Sequence, residues 1–164
     1  MKNLPTIEEI LALDLLTLRE HTERAGDALD PDVHRTTLAR TLQVAELVAV
    51  RKNGALIAYA TLTPQEEGCW FVTGFNTHPA HRTSPTFRAL FAQLFELAQR
   101  HGIGELRSHV YKTNRLSLAF HQRLGFRMMQ ENDKAVAFHA SLQDLVANSA
   151  LYRSRQAIYP CVPI

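Results

Sequence analysis

The chain has 164 residues, a mass of 18.5 kDa and a formal net charge of +2, with 46% hydrophobic and 21% charged residues. These values suit one soluble domain spanning residues 1–164 and exclude collagen-like, low-complexity or strongly basic nucleic-acid-binding chains. No apolar run reaches the roughly 18 residues that span a bilayer. Met1–Pro5 lacks an apolar signal core, and Cys69 and Cys161 have neither metal-ligand nor disulfide spacing, so a cytoplasmic address without membrane or metal is expected.

Thr6 to Ala25 reads as a helix. Thr6 is placed to cap it, Glu8 and Glu9 sit at its positive end, and Ile7, Ile10, Leu11, Leu15 and Leu18 recur at helical spacing. A second helix starts near Asp30-Pro31-Asp32 and runs through His34–Leu42. Three strands follow. Leu47–Lys52 and Ala55–Leu62 flank Asn53-Gly54, a pair suited to the two positive-φ positions of a tight hairpin turn. A charged loop at Gln65–Gly68 leads to the third strand, Cys69–Phe75.

An irregular segment, Asn76–Thr83, then joins this strand to a helix opened by Ser84-Pro85. Phe87, Leu90, Phe91, Leu94, Phe95 and Ala98 form its apolar stripe, and Gly102 and Gly104 end it. Glu105–Tyr111 is a short strand, so residues 69–111 form a strand–helix–strand unit expected to be a right-handed parallel crossover. Asn114 opens another helix with Leu116, Ala119, Phe120 and Leu124 on one side and Gly125 as its stop. Phe126–Gln130 and Ala135–Ala140 read as a last hairpin, Leu142–Arg155 as a terminal helix and Tyr159–Ile164 as an extended tail.

Charge is unevenly spread. Residues 1–70 carry 11 acids and 7 bases, whereas residues 71–164 carry 5 acids and 11 bases. Such a basic half is either a solvated face or a surface that attracts a phosphorylated small molecule. The Ser84 helix start, with unpaired N–H groups, and Arg82 and Arg88 beside it, offers phosphate a place.

The stretch Asn114-Arg115-Leu116-Ser117-Leu118-Ala119-Phe120-His121-Gln122-Arg123-Leu124-Gly125-Phe126 is the most specific in the chain. It resembles the second cofactor motif of the GNAT N-acetyltransferase superfamily, with Asn114, Ser117, Phe120, Leu124, Gly125 and Phe126 in the motif's places. The resemblance extends over about residues 44–142, and residues 1–43 fit the family's first two helices. It implies an α/β fold with a mixed, mostly antiparallel sheet, a central parallel strand–helix–strand crossover and helices on both faces. It also implies an N-acyltransferase that moves acetyl from acetyl-CoA, or another acyl-CoA, to the amine of a small molecule or peptide.

In that scheme the donor lies between two splayed strands, against Phe75, Asn76, Thr77, Arg82, Thr83, Ser84, Thr86, Phe87, Arg88, Asn114, Ser117 and Phe120. The family's phosphate loop needs small residues where this chain has Pro85 and Phe87. Proline has no N–H to donate, and Phe87 carries a ring where backbone should approach oxygen. His121 takes the place of the family's thiolate-protonating tyrosine, while His109 and Tyr111 share one side of their strand as candidates for the cleft. Glu66 and Glu67 face solvent, and Cys69 is a small core residue. Two other functions stay open: a catalytically silent binding or interaction module, and a transferase whose donor is an acyl-carrier protein. A homodimer formed through Tyr159–Ile164 is a further possibility implied by the family.

Overall fold

The structure, a computed structural model, describes residues 3–148. Two helices come first: α1 (Ile7–Arg24) and α2 (Pro31–Thr41). Thr6 caps α1 in a reciprocal box, its hydroxyl accepting from the Glu9 N–H while the Glu9 carboxylate accepts from the Thr6 N–H at 2.8 Å. Arg51 holds the same carboxylate at 2.7 Å, and together these donors bring Glu9 down to a pKa of about 2. Asp30 caps α2, accepting from the N–H groups of Asp32 and Val33.

The strands are β1 (Glu46–Lys52), β2 (Ala55–Glu66), β3 (Cys69–Thr77), β4 (Glu105–Tyr111), β5 (Arg127–Glu131) and β6 (Ala135–Ser141). They form one sheet in the order β1-β2-β3-β4-β6-β5, in which only β3 and β4 run parallel. The β1–β2 turn has Asn53 at φ 51° and Gly54 at φ 83°, as its sequence requires. The expected charged loop before β3 is shorter than its composition suggested. β2 continues to Glu66 past an irregularity at Pro64, and Gly68, at φ 71°, makes the turn.

The remaining helices are α3 (Ser84–His101), α4 (Arg115–Leu124) and α5 (Leu142–Asn148). Thr83 rather than Ser84 is the residue before the first turn of α3, which moves Pro85 one place deeper into the helix. The terminal helix is described only to Asn148; its expected continuation to Arg155, Cys161 and the Tyr159–Ile164 tail lie outside the described residues. Among those residues, no helix is long and apolar enough to cross a membrane, and no His, Cys, Asp or Glu cluster suits a metal ion.

Alternation along the strands sorts the core onto the two faces. Ala58, Ala60 and Leu62 meet Leu90, Leu97 and Ala98 of α3. Val136, Phe138 and Ala140 meet Leu124 of α4 and Leu145 of α5. Tyr59 points to the opposite face and packs with Ile10, Leu11 and Leu13 of α1 and Leu38 of α2.

That opposite face also buries a carboxylate. Asp14 of α1 is 2% exposed. Its Oδ1 accepts from the Tyr59 hydroxyl at 2.5 Å and from the Asn76 amide at 3.0 Å, and its Oδ2 pairs with Nε2 of His34 at 2.7 Å. The Asn76 amide donates also to the Thr17 hydroxyl, which in turn donates to the Leu13 carbonyl. Burial and the adjacent Asp14 charge push the Tyr59 phenol well above its ordinary value, so it stays a donor. Asp14→Ala should cost roughly 3–5 kcal/mol, because it strands buried donors on two strands. Urea unfolding of the variant and the parent at pH 7 measures this difference.

Candidate active site

β3 and β4 pair at Cys69–Glu105, Trp70–Leu106 and Phe71–Arg107, and then separate. Two constraints drive them apart. β4 is committed along its whole length to β6, from Glu105–Ser141 to Tyr111–Ala135. β3 is committed to β2 and carries an extra residue there, with Thr61 opposite Gly74 and Leu62 opposite Val72. This bulge at Thr73 bends the strand. The Thr73 hydroxyl binds the Thr61 hydroxyl at 2.9 Å. Gly74 fits because a Cβ there would stand 2.7 Å from the Thr61 hydroxyl and 2.9 Å from the Tyr59 ring.

A cleft of about 500 Å³ occupies the gap. Phe75, Asn76 and Thr77 line it from the diverging end of β3, and Asn114, Ser117 and Phe120 line it from α4. Phe75 and Phe120 lie 5.6 Å apart by ring centroid, and Phe87 of α3 lies 5.2 Å from Phe120. Phe87 thus walls the cleft and packs into the core beside Phe91. Asn114 caps α4, its side-chain oxygen accepting from the Ser117 N–H at 3.1 Å.

The mouth is formed by the β3–α3 connection. His78 accepts from the Ala80 N–H, a single 3-10 turn spans Pro79–His81, and Arg82, Thr83 and Ser84 reach the cleft. Thr83 makes no side-chain cap bond; its hydroxyl lies 3.2 Å from that of Thr86, which is buried. The first-turn N–H groups of Ser84 and Thr86 are thereby left uncapped, and Pro85 contributes none. At the cleft, the hydroxyl of Thr77 is buried without a hydrogen-bond partner. Arg88 is half-buried on α3, and neither it nor the buried Thr86, both expected at the donor site, lines the cleft.

Sequence reasoning did not single out the far wall. α1 supplies Thr17, Leu18 and His21, and α4 supplies Arg123. The helical pattern of α1 carried no sign of this, because the Asp14 network that seats the helix joins residues far apart in the chain.

The three candidate catalytic side chains lie outside the cleft walls. His121 is 9% exposed and stacks on Phe138 at 5.1 Å. Its Nδ1 lies 2.8 Å from the Ser117 carbonyl and its Nε2 lies 3.0 Å from the Ser108 hydroxyl, so both nitrogens are engaged. Burial lowers its pKa below the usual imidazole range, with the Ser117 bond opposing. Tyr111 donates to the Asp27 carboxylate at 2.8 Å, and burial, with that contact, raises its pKa. His109 is exposed, edge-on to Phe71 at 4.9 Å. Cys69 is buried at the paired end of β3, where burial pushes the thiol up.

The folded state thus favours neutral His121 more than the unfolded chain does. The stability this ring contributes is complete above the unfolded value of about 6.5 and is lost as pH falls from there through the lower folded value. His121→Ala should cost about 2–4 kcal/mol at pH 7.5 through the lost ring and the unpaired Ser108. The variant should also lose less stability than the parent between pH 7.5 and 5, as paired urea melts would show.

Comparisons with known proteins agree with this geometry. Residues 10–126 match the model of the acetyltransferase (GNAT) family. The PaiA N-acetyltransferase of Thermoplasma acidophilum, solved in complex with coenzyme A, superposes with a TM-score of 0.65 at 12% identity, over 82% of this chain and 92% of that one. The ribosomal-protein-alanine N-acetyltransferase of Brucella melitensis gives 0.58 at 18% identity, over 85% and 98%. A GNAT family acetyltransferase of Elizabethkingia anophelis with acetyl-CoA bound gives 0.55 at 14% identity, over 65% and 82%. No curated protein matches the chain at a significant level. The family match spans residues 10–126, most of the chain, and the chain belongs to the GNAT acetyltransferase family.

Proposed function

We propose that the chain is an N-acyltransferase that takes its acyl group from acetyl-CoA or a related acyl-CoA and delivers it to an amine of a small molecule or peptide. The parting of β3 and β4 onto an uncapped helix start carries this reading. The site fits a phosphorylated thioester. The Thr77 hydroxyl is an orphaned buried polar atom at the cleft. Ser84 and Thr86 offer N–H groups, and Arg82 offers a guanidinium, to phosphate oxygens. Phe75, Phe87 and Phe120 offer apolar surface to an uncharged arm. Bound there, the donor would supply an activated acyl carbon with a thiolate as leaving group.

The chain's own residues would then position and desolvate. Asn114 fixes the start of α4, and Ser117 and Phe120 follow it along the cleft wall. His121, held between Ser117 and Ser108, anchors α4 to β4 rather than delivering a proton. Thiolate protonation falls to water or to another group.

Pro85 and Phe87 favour a second reading, a silent binding module, since one removes a donor and the other fills space at the first turn. Turnover separates the two readings. Release of free thiol from acetyl-CoA in the presence of a panel of primary amines supports the transferase, whereas CoA binding without thiol release supports the module. For the donor site, Arg82→Glu should weaken CoA binding by about 1–3 kcal/mol in calorimetry at moderate salt. Unchanged affinity would place the phosphates elsewhere.

A further inference from the structure

An amine that attacks a thioester sheds a proton, and few groups on the cleft walls can take one. Among the described residues lining the cleft, the titratable side chains are His21, Arg82 and Arg123. A guanidinium carries donors only and has no lone pair with which to take the proton. The other candidates are committed elsewhere. Asp14 already serves three donors, Tyr111 binds Asp27, and both nitrogens of His121 are engaged. His109 faces Phe71 outside the cleft.

His21 differs from all of these. It lies in the last turn of α1, where Thr17, one turn earlier, reaches the same cleft. Its Nδ1 is buried and has no hydrogen-bond partner. A buried polar atom left unpaired by the protein costs roughly 1–3 kcal/mol, and a ligand that meets it recovers that cost. The backbone beneath is held firmly: the Thr113 hydroxyl, from the β4–α4 connection, donates to the His21 carbonyl at 2.7 Å. This bond ties the end of α1 to the segment leading into the Asn114 cap.

We propose that His21 is the general base of acyl transfer, an assignment that rests on the reading of the chain as an acyl-CoA-dependent transferase. The acceptor enters as a neutral amine. Its nitrogen lone pair forms the bond to the thioester carbonyl carbon while an N–H proton passes to the imidazole of His21. The carbon–sulfur bond breaks with its electron pair on sulfur. The imidazolium returns the proton to that thiolate, directly or through water. The products are an amide and free CoA thiol, and His21 ends neutral.

The test uses the full chain, acetyl-CoA, and a panel of primary amines comprising a polyamine, an aminoglycoside and an alanyl peptide, with thiol release as the rate. His21→Ala and His21→Gln should each lower kcat by about 10²–10³-fold with CoA affinity by calorimetry unchanged. Added imidazole should restore part of the rate to His21→Ala and leave the parent unaffected. Independently of turnover, the imidazole carbon-bound proton signal that is missing from the NMR spectrum of His21→Gln should move in the parent when acetyl-CoA is added. A kcat within about threefold of the parent in both variants, a loss that imidazole leaves untouched, or an unmoved signal at saturating acetyl-CoA overturns the assignment. A parent that binds CoA but releases no thiol with any amine, or that binds no CoA, overturns the transferase reading, and the base with it. A parent that binds CoA and turns over an amine keeps the transferase reading even where the variants or the unmoved signal overturn the base.

Discussion

The buried carboxylate of Asp14 is the contact on which the arrangement of the molecule turns. It is almost without solvent, yet it is met by donors from three separate elements: His34 of α2, Tyr59 of β2 and Asn76 of β3. Removing an ion from water costs several kcal/mol, so such a group persists only where its partners are held in place. The apolar contacts of Ile10, Leu11 and Leu13 bring α1 to the sheet, but they are non-directional. The hydrogen bonds to Asp14 choose one axial position and one rotation for the helix. That choice decides which α1 side chains stand over the gap between β3 and β4. Thr17 lies on the same face as Asp14, one turn nearly complete, and His21 lies one turn further along.

A parallel strand pair does not ordinarily come apart. Here each strand has a stronger commitment on its outer edge, and the Thr73 bulge bends β3 away from its parallel neighbour. The Gly74 contact with Thr61 and Tyr59 links the bulge to the Asp14 network, since Tyr59 is also the phenol that binds the carboxylate. The wall that opens the cleft and the helix that closes over it are therefore fixed by overlapping residues.

Local features of this fold were legible because local chemistry dictates them. Asn53-Gly54 meets a positive-φ requirement that few other pairs satisfy. Asn114 and Gly125 mark the two ends of α4 through a cap bond and a left-handed residue, at φ 95° for the glycine. Phe75, Asn76, Thr77, Asn114, Ser117 and Phe120, which the family resemblance put at the donor site, line the cleft. What stayed hidden depends on pairs distant in sequence. Asp14 meets Asn76 across 62 positions and Tyr59 across 45. The direction of His121 was equally out of reach. Its place in the motif puts it on α4, but whether the ring turns to the cleft or the core depends on Ser108 and Phe138 from other elements. The α3 start shifted by one residue for a smaller reason: Thr83 and Ser84 are both hydroxyl residues, and neither carries a distinguishing signal.

The electrostatics of the cleft add a further constraint on what enters it. Its titratable wall residues are two arginines and one histidine, without a carboxylate among the described lining residues. On the proposed transferase reading, Arg82 at the mouth and Arg123 on the far wall raise the local concentration of a polyanionic donor. The same field opposes an ammonium ion and favours the neutral amine, because a nearby like charge lowers the pKa of a basic group. Desolvation beside apolar wall residues such as Phe75, Phe120 and Leu18 would act in the same direction, since it also penalises the charged form. On the proposed transferase reading, an acceptor amine is thus pushed toward the form with a free lone pair before any side chain removes a proton. A base in this cleft then has only to take the proton that becomes acidic as the nitrogen–carbon bond forms. A neutral imidazole suits that task, whereas a carboxylate at the same place would stabilise the ammonium that the rest of the cleft disfavours.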